Sequence, residues 1–357
     1  MLFSTLLSAT LALSVICVGS AFRANETELL AYQALQAYAS LPKLHQLLTQ
    51  EIRNSVQVKA IPNLFAQQNG VEPKEGSYQL ENFGALVSWD SILQLLAENP
   101  NRRLLILIRH GQAWENLNPT SNANCEFELN GKTIQNFDSP LTPLGREQAA
   151  NLNAMFLAPA SNDSTKTWFE TIGLQANTTS FLSSPLSRTM QTSEGVFASL
   201  PLSTQSNQSI VVHELIRATI GRDVCNFRHS VRTPTSATAL PFPFATGCQL
   251  PDTSLQQLYG ASPVHFSFPI RPAGGEGFGV VSDADQLWRA DVADDEVLES
   301  RATAFLGQLP ALTPPSSSVA VVTHGEMVSA IYRAAGENSY GPKNTEVVPL
   351  LIEFPEK

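Results

Sequence analysis

The sequence predicts an α/β fold, a three-layer α/β/α sandwich with a mostly parallel central sheet, and three observations predict it. Leu104–Ile108 is a continuous apolar run, as a strand covered on both faces should be, and Ser318–Thr323 and Val347–Phe354 are similar. Segments of helical rhythm alternate with these strands, the arrangement that puts helices on both sides of a sheet. The 357 residues are 43% hydrophobic, enough for a large core.

Residues 1–21, MLFSTLLSATLALSVICVGSA, hold no charged side chain and end with Gly19 and Ala21 at the −3 and −1 positions of a cleavage site. They read as a secretory signal peptide, with an uncleaved anchor of about 20 residues as the alternative. No later segment is apolar and long enough to span a bilayer, so no integral span is expected after leader removal. Residues 22–80 form an N-terminal helical extension, with helical spacing from about 26 to 60 broken near Pro42. The main domain, 81–357, opens with a helix over Trp89–Glu98 and the turn NPNRR into strand Leu104–Ile108. A Gly/Asn-rich loop, helix Leu144–Phe156, strand Thr179–Leu182, helix Arg188–Leu200 and strand Ile210–His213 follow. The Pro- and Gly-rich stretch 233–279 reads as an irregular insertion over the site. Strand Ser318–Thr323, helix Met327–Ala335 and strand Val347–Phe354 close the chain.

The net charge of −10 is spread without long runs of one sign, which argues against a nucleic-acid or anionic-membrane partner. An anionic substrate would need a few locally placed cations. Sequons at Asn25, Asn162, Asn177 and Asn207 join the leader in favouring the secretory route. Leader removal leaves Cys125, Cys225 and Cys248, enough for one disulfide and one thiol; Cys225 with Cys248 is the pairing favoured, against three small buried hydrophobes.

Two buried strands end alike, one in Arg109-His110-Gly111 and the other in Thr323-His324-Gly325. Ligands of open α/β sheets bind at such carboxyl ends, so the two imidazoles can face one pocket. In SSPLSRTMQT, Arg188 stands in the first turn of a helix, where free N–H groups and a guanidinium fork suit phosphate oxygens. A surface pair with Glu194 is the plainer reading of Arg188.

These blocks carry a resemblance. RHGQAWEN (109–116), LTPLGREQA (141–149), SPLSRTMQT (184–192), ELIRATIG (214–221) and VVTHGE (321–326) resemble, in order, those of the histidine phosphatase, or phosphoglycerate mutase-like, superfamily. The resemblance runs from about Asn82 to the C-terminus and looks closest to the fungal and plant-like phosphomutase-like branch. It implies a phosphoglycerate mutase-like fold and a small phosphorylated substrate. It makes His110 the nucleophile that forms a phosphohistidine, and Arg109, Arg188 and His324 the groups that bind the phosphoryl oxygens. Gln112 and Asn116 would line the pocket as substrate-binding residues, although Asn116 could equally cap the next turn.

A carboxylic acid is expected beside the leaving oxygen, worth roughly 10²–10⁴ in rate. In this branch a Glu follows the Leu-x-Arg of the fourth block, and here that place is Ala218. Glu326, at the start of the helix after His324, is the favoured substitute, and Glu214 the other; their plainer readings are a helix-dipole carboxylate and a surface ion pair with Arg217. Asp283, Asp285, Asp291, Asp294 and Asp295 read as a solvated amphipathic helix, not a metal cage. His45, His213, His229 and His265 lack partners at ligand spacing, so neither metal nor organic cofactor is expected. The sequence thus predicts a secreted phosphomonoesterase. The alternatives are a phosphomutase and a phosphate-binding protein that has lost turnover with the acid at 218.

Overall fold

The computed structural model describes residues 57–121, 124–161, 165–200, 209–221, 223–232, 253–270, 279–280, 282–285, 288 and 295–356, all within the compact unit Lys43–Lys357. The leader, the helical rhythm before residue 57, Cys248 and the sequons at Asn25, Asn162 and Asn207 lie outside them.

In chain order the strands and α-helices are β1 (Lys59–Ala60), α1 (Trp89–Glu98), β2 (Arg102–Arg109), β3 (Glu126–Leu129), β4 (Lys132–Gln135), α2 (Pro143–Leu157), α3 (Trp168–Thr171) and β5 (Ser180–Ser183). They continue as α4 (Ser187–Phe197), β6 (Ile210–Val212), α5 (Leu255–Tyr259), β7 (Phe266–Ser267), α6 (Asp295–Leu312), β8 (Ser317–Thr323), α7 (Gly325–Ala334) and β9 (Val347–Glu353). Seven strands form one sheet in the order β1-β9-β2-β8-β5-β6-β7. From β2 to β7 neighbours run parallel, while β9 is antiparallel to β2 and β1 to β9.

The central strands are apolar without alternation because helices cover both faces. Leu104, Ile106 and Ile108 of β2 pack with Ile92 of α1, Leu152 and Phe156 of α2 and Met190 of α4. The intervening Leu105 and Leu107 pack with Phe305 and Leu309 of α6 and Val328 and Ile331 of α7. This is the three-layer α/β/α sandwich with a largely parallel central sheet. Local chemistry fixes the helix starts: Ser88 caps α1 by accepting from Ser91 N–H, and Thr142, followed by Pro143, caps α2 by accepting from Gly145 N–H.

Four expectations need correction. Lys59–Ala60 is an edge strand and not the tail of a helix, because it pairs with Glu353 and Ile352 of β9. Within 233–279 the chain forms α5 and β7, and Phe266 pairs with Ile210 to extend the sheet, because Tyr259, Val264 and Phe266 bury their side chains there. Asp285 is buried and not solvated, because Arg217 neutralises it. Finally, Cys225 is a free, buried thiol, whereas Cys125 is disulfide-bonded to a partner outside the described residues.

Candidate active site

Register brings the two histidine loops together. Arg109 of β2 lies level with Thr323 of β8, so His110 and His324 leave neighbouring parallel strands side by side, with ring centroids 5.2 Å apart. Ser183 of β5 lies level with Val322, which delivers Ser184 and then α4 to the same edge. Both imidazoles and Arg188 are buried.

The His110 tautomer follows from its partner. Nδ1 lies 2.7 Å from the Gly111 carbonyl, and a carbonyl only accepts, so Nδ1 carries the proton and Nε2 presents its lone pair. Burial, then the Arg188 and Arg109 guanidiniums, push the ring well below the usual histidine range, which keeps that lone pair free. His324 is pushed down by burial and Arg188 in the same way. Its Nε2 meets the Ser184 hydroxyl at 2.8 Å, and its Nδ1 has no hydrogen-bond partner among the described residues.

The arginines are held at one end and open at the other. Arg109 Nη1 donates to the Pro342 carbonyl (2.7 Å), while Arg188 Nη1 and Nη2 donate to the Cys225 carbonyl (2.8 Å) and Asn226 Oδ1 (2.6 Å). The Nε atoms of both are buried without a hydrogen-bond acceptor among the described residues. Two buried guanidinium donors, Arg109 Nε and Arg188 Nε, and the His324 Nδ1 are thus left without a hydrogen-bond partner among the described residues. Buried donors without acceptors are costly in ordinary folds and are kept where a ligand supplies what is missing.

The loop carrying His110 is clamped from several sides. Gly111 N–H donates to Thr192 Oγ1 (3.0 Å) and Gln112 N–H to Gln148 Oε1 (2.8 Å). Asn344 Nδ2 donates to the His110 carbonyl (2.9 Å). A Cβ on Gly145 would sit 2.0 Å from the Gln112 carbonyl oxygen, so only glycine lets α2 come this close.

The sequence candidates therefore divide. His110, Arg109, Arg188 and His324 come together. The Gln112 side chain accepts from Thr142 Oγ1 (2.9 Å), and Asn116 Oδ1 accepts from Ala113 N–H (3.0 Å), the turn-capping alternative. Glu326 is exposed in the first turn of α7. Glu214 is a buried ion pair and not a surface one: Arg217 Nη1 lies 2.7 Å from Oε1 and Arg228 Nε 3.0 Å from Oε2, in a network that Asp285 shares. With both oxygens engaged, Glu214 braces the segment around Ala218.

Sequence reasoning missed Glu115. Its Oε1 lies 3.6 Å from His110 Nε2 and 3.5 Å from Arg188 Nε, with the side chain 11% exposed. Burial raises its carboxyl above the ordinary range; Arg188 opposes the rise and the Glu326 charge adds to it. Trp114 and Ser187, chain neighbours of Glu115 and Arg188, line a cavity of about 990 Å³ together with Phe137, Gln191, His229 and Tyr259.

Residues 105–210, from β2 through the start of β6, match the model of the histidine phosphatase superfamily (branch 1). Over that span the chain is similar to the histidine phosphatase superfamily. Members of this superfamily are phosphatases or mutases. Among its relatives, phosphomutase-like protein 3 of Candida albicans is 23% identical over 297 residues, 81% of this chain and 77% of that one. Similar solved structures are the phosphoglycerate mutase of Thermus thermophilus (18% identity, 71% of this chain, 99% of that one, TM-score 0.31) and that of Bacillus anthracis str. Sterne (16%, 72%, 93%, 0.36). At such TM-scores these likenesses add nothing to the strand order above. Among the described residues no group of three His, Cys, Asp or Glu could hold a metal ion, and no helix is long and apolar enough to cross a membrane.

Proposed function

We propose that this protein is a secreted phosphomonoesterase of the histidine phosphatase superfamily that works through a phosphohistidine on His110. One observation carries the reading: Arg109 Nε, Arg188 Nε and His324 Nδ1 are buried with no hydrogen-bond partner among the described residues, while His110, its ring 5.2 Å from that of His324, presents the lone pair of Nε2. A phosphoryl group supplies what each lacks. Its oxygens accept from the donors, and its phosphorus takes the Nε2 lone pair as the ester oxygen departs. The Ser184 hydroxyl can donate to His324 Nε2, and in that tautomer His324 Nδ1 carries the proton it offers. The two guanidiniums offset the charge spread over the oxygens in the transition state. Water then attacks the phosphohistidine and returns His110.

Secretion is supported by the disulfide at Cys125, since such bonds persist in oxidising compartments, and by the exposed turn position of Asn177 in its sequon. Among the described residues the lining of the cavity beside Trp114 and Ser187 holds no lysine or arginine, which supports an uncharged leaving group. In the test, purified protein releases phosphate from p-nitrophenyl phosphate and His110→Ala abolishes release. Wild-type protein inert between about pH 4 and 8 on a broad phosphoester panel would end the proposal.

A further inference from the structure

We infer that Glu115 is the proton donor to the leaving oxygen, in place of the carboxylate absent at Ala218. The inference rests on the phosphohistidine reading. Its geometric basis is the 3.6 Å between Glu115 Oε1 and His110 Nε2. No other carboxylate among the described residues forms an ion pair with His110, Arg109 or Arg188. In an in-line displacement the leaving oxygen stands across phosphorus from the nucleophile, and its acid must come within about 2.6–3.2 Å of it, often from a looser position in the empty site.

The local backbone favours a side-chain movement of this kind. Glu115 N–H donates to Ser139 Oγ (2.8 Å), and Asn116 closes the turn onto Ala113, so the Cα is anchored by backbone bonds while the carboxyl rests against Arg188 and the Asn116 side chain. In the empty site the carboxyl lies against Arg188 Nε at 3.5 Å, the atom a phosphoryl oxygen would claim. An entering phosphoryl group therefore displaces it from the arginine toward the ester oxygen. Burial keeps the carboxyl in its acid form to higher pH than usual, and the Glu326 charge works the same way.

The step balances. Nε2 bonds to phosphorus as the phosphorus–oxygen ester bond breaks, and the Glu115 proton passes to the departing oxygen to give the alcohol. In the second half the Glu115 carboxylate takes a proton from water while the water oxygen bonds to phosphorus. The phosphorus–nitrogen electron pair returns to His110, giving phosphate and a reprotonated acid.

The test compares Glu115→Gln, Glu115→Asp and Glu326→Gln on glycerol 2-phosphate, which leaves poorly, and 2,4-dinitrophenyl phosphate, which needs no acid. Glu115→Gln should lower kcat/KM, which reports phosphoryl transfer to His110, roughly 10²–10³-fold for the alkyl ester and less than ~10-fold for the aryl ester. Phosphohistidine should build up with the aryl ester, because water has lost its base. Glu115→Asp should recover part of the alkyl activity, and Glu326→Gln should move the alkaline limb of the alkyl profile to lower pH. Equal losses on both esters, or tighter phosphate binding with no leaving-group dependence, would make Glu115 a mere occupant of the empty site and overturn the inference. A contrast that appears in Glu326→Gln instead would move the role to Glu326. Absence of phosphohistidine in wild-type protein would refute the underlying reading and not this assignment alone.

Discussion

His213 supplies a prediction whose size follows from its surroundings. It follows β6, is 3% exposed, sets Nδ1 2.9 Å from both the backbone nitrogen and the carbonyl oxygen of Gly279, and packs its ring against Phe305 with centroids 5.9 Å apart and a 45° tilt. Burial lowers it from 6.5 to about 4; the Gly279 hydrogen bond and the Glu214 charge oppose the fall without cancelling it. Between those values the unfolded chain binds a proton that the folded one refuses. Stability therefore falls as pH falls below about 6.5, and the loss is complete only below the folded value. At pH 4.5 linkage makes the cost about 2.5 kcal/mol. Glutamine at this position cannot titrate. Urea unfolding of wild type and His213→Gln at about pH 7 and pH 4.5 should show wild type losing about 2.5 kcal/mol more than the variant between the two. Carboxylates, His110 and His324 contribute equally to both proteins and cancel. Parallel losses, within about 0.5 kcal/mol, would refute the reasoning.

Gly145→Ala should cost at least about 2 kcal/mol, with a lower Tm and more than about a tenfold loss of kcat/KM, because its Cβ would meet the Gln112 backbone, which no rotamer change relieves. Gly307→Ala, inside α6 with nothing within 4 Å of its Cβ, is the control that should leave kcat/KM unchanged and raise Tm slightly through helix propensity. Reducing the Cys125 disulfide should destabilise the protein by about 2–4 kcal/mol in denaturant unfolding, while Cys225, buried and with its thiol pushed up by burial, should resist alkylation until the chain unfolds. Because burial and two arginines lower His110, kcat/KM on an activated aryl ester should stay flat through pH 6.5 and fall only at lower pH; a limb centred near 6.5 would mean an ordinary, solvated imidazole.

The sequence made the frame legible where a single local cause governs. Leu104–Ile108 reads as a doubly covered strand because helices pack on both sides of it, and Arg109-His110 and His324 read as pocket residues because neighbouring strand ends converge. Glu115 was illegible because Trp114–Leu117 is a short 3₁₀ turn, whose acid approaches His110 only when Ser139, 24 residues on, holds its N–H. Asn344 was likewise hidden, since its bond to the His110 carbonyl spans 234 residues. Glu214 and Asp285 look like surface acids in a sequence, and only the tertiary meeting with Arg217 and Arg228 turns them into a buried network. Ala218 shows the opposite case, in which a family pattern marks an absence that the fold fills from another segment in the assignment to Glu115.

The central claim concerns His110, and trapping the covalent intermediate tests it most directly. Protein mixed with 2,4-dinitrophenyl phosphate, quenched in alkali and digested should carry one phosphoryl group on the peptide containing Arg109–Glu115, labile to acid and located on His110 Nε2. His110→Ala should carry none. Phosphate release without such a label, or a label on His324 or a carboxylate, would contradict the account.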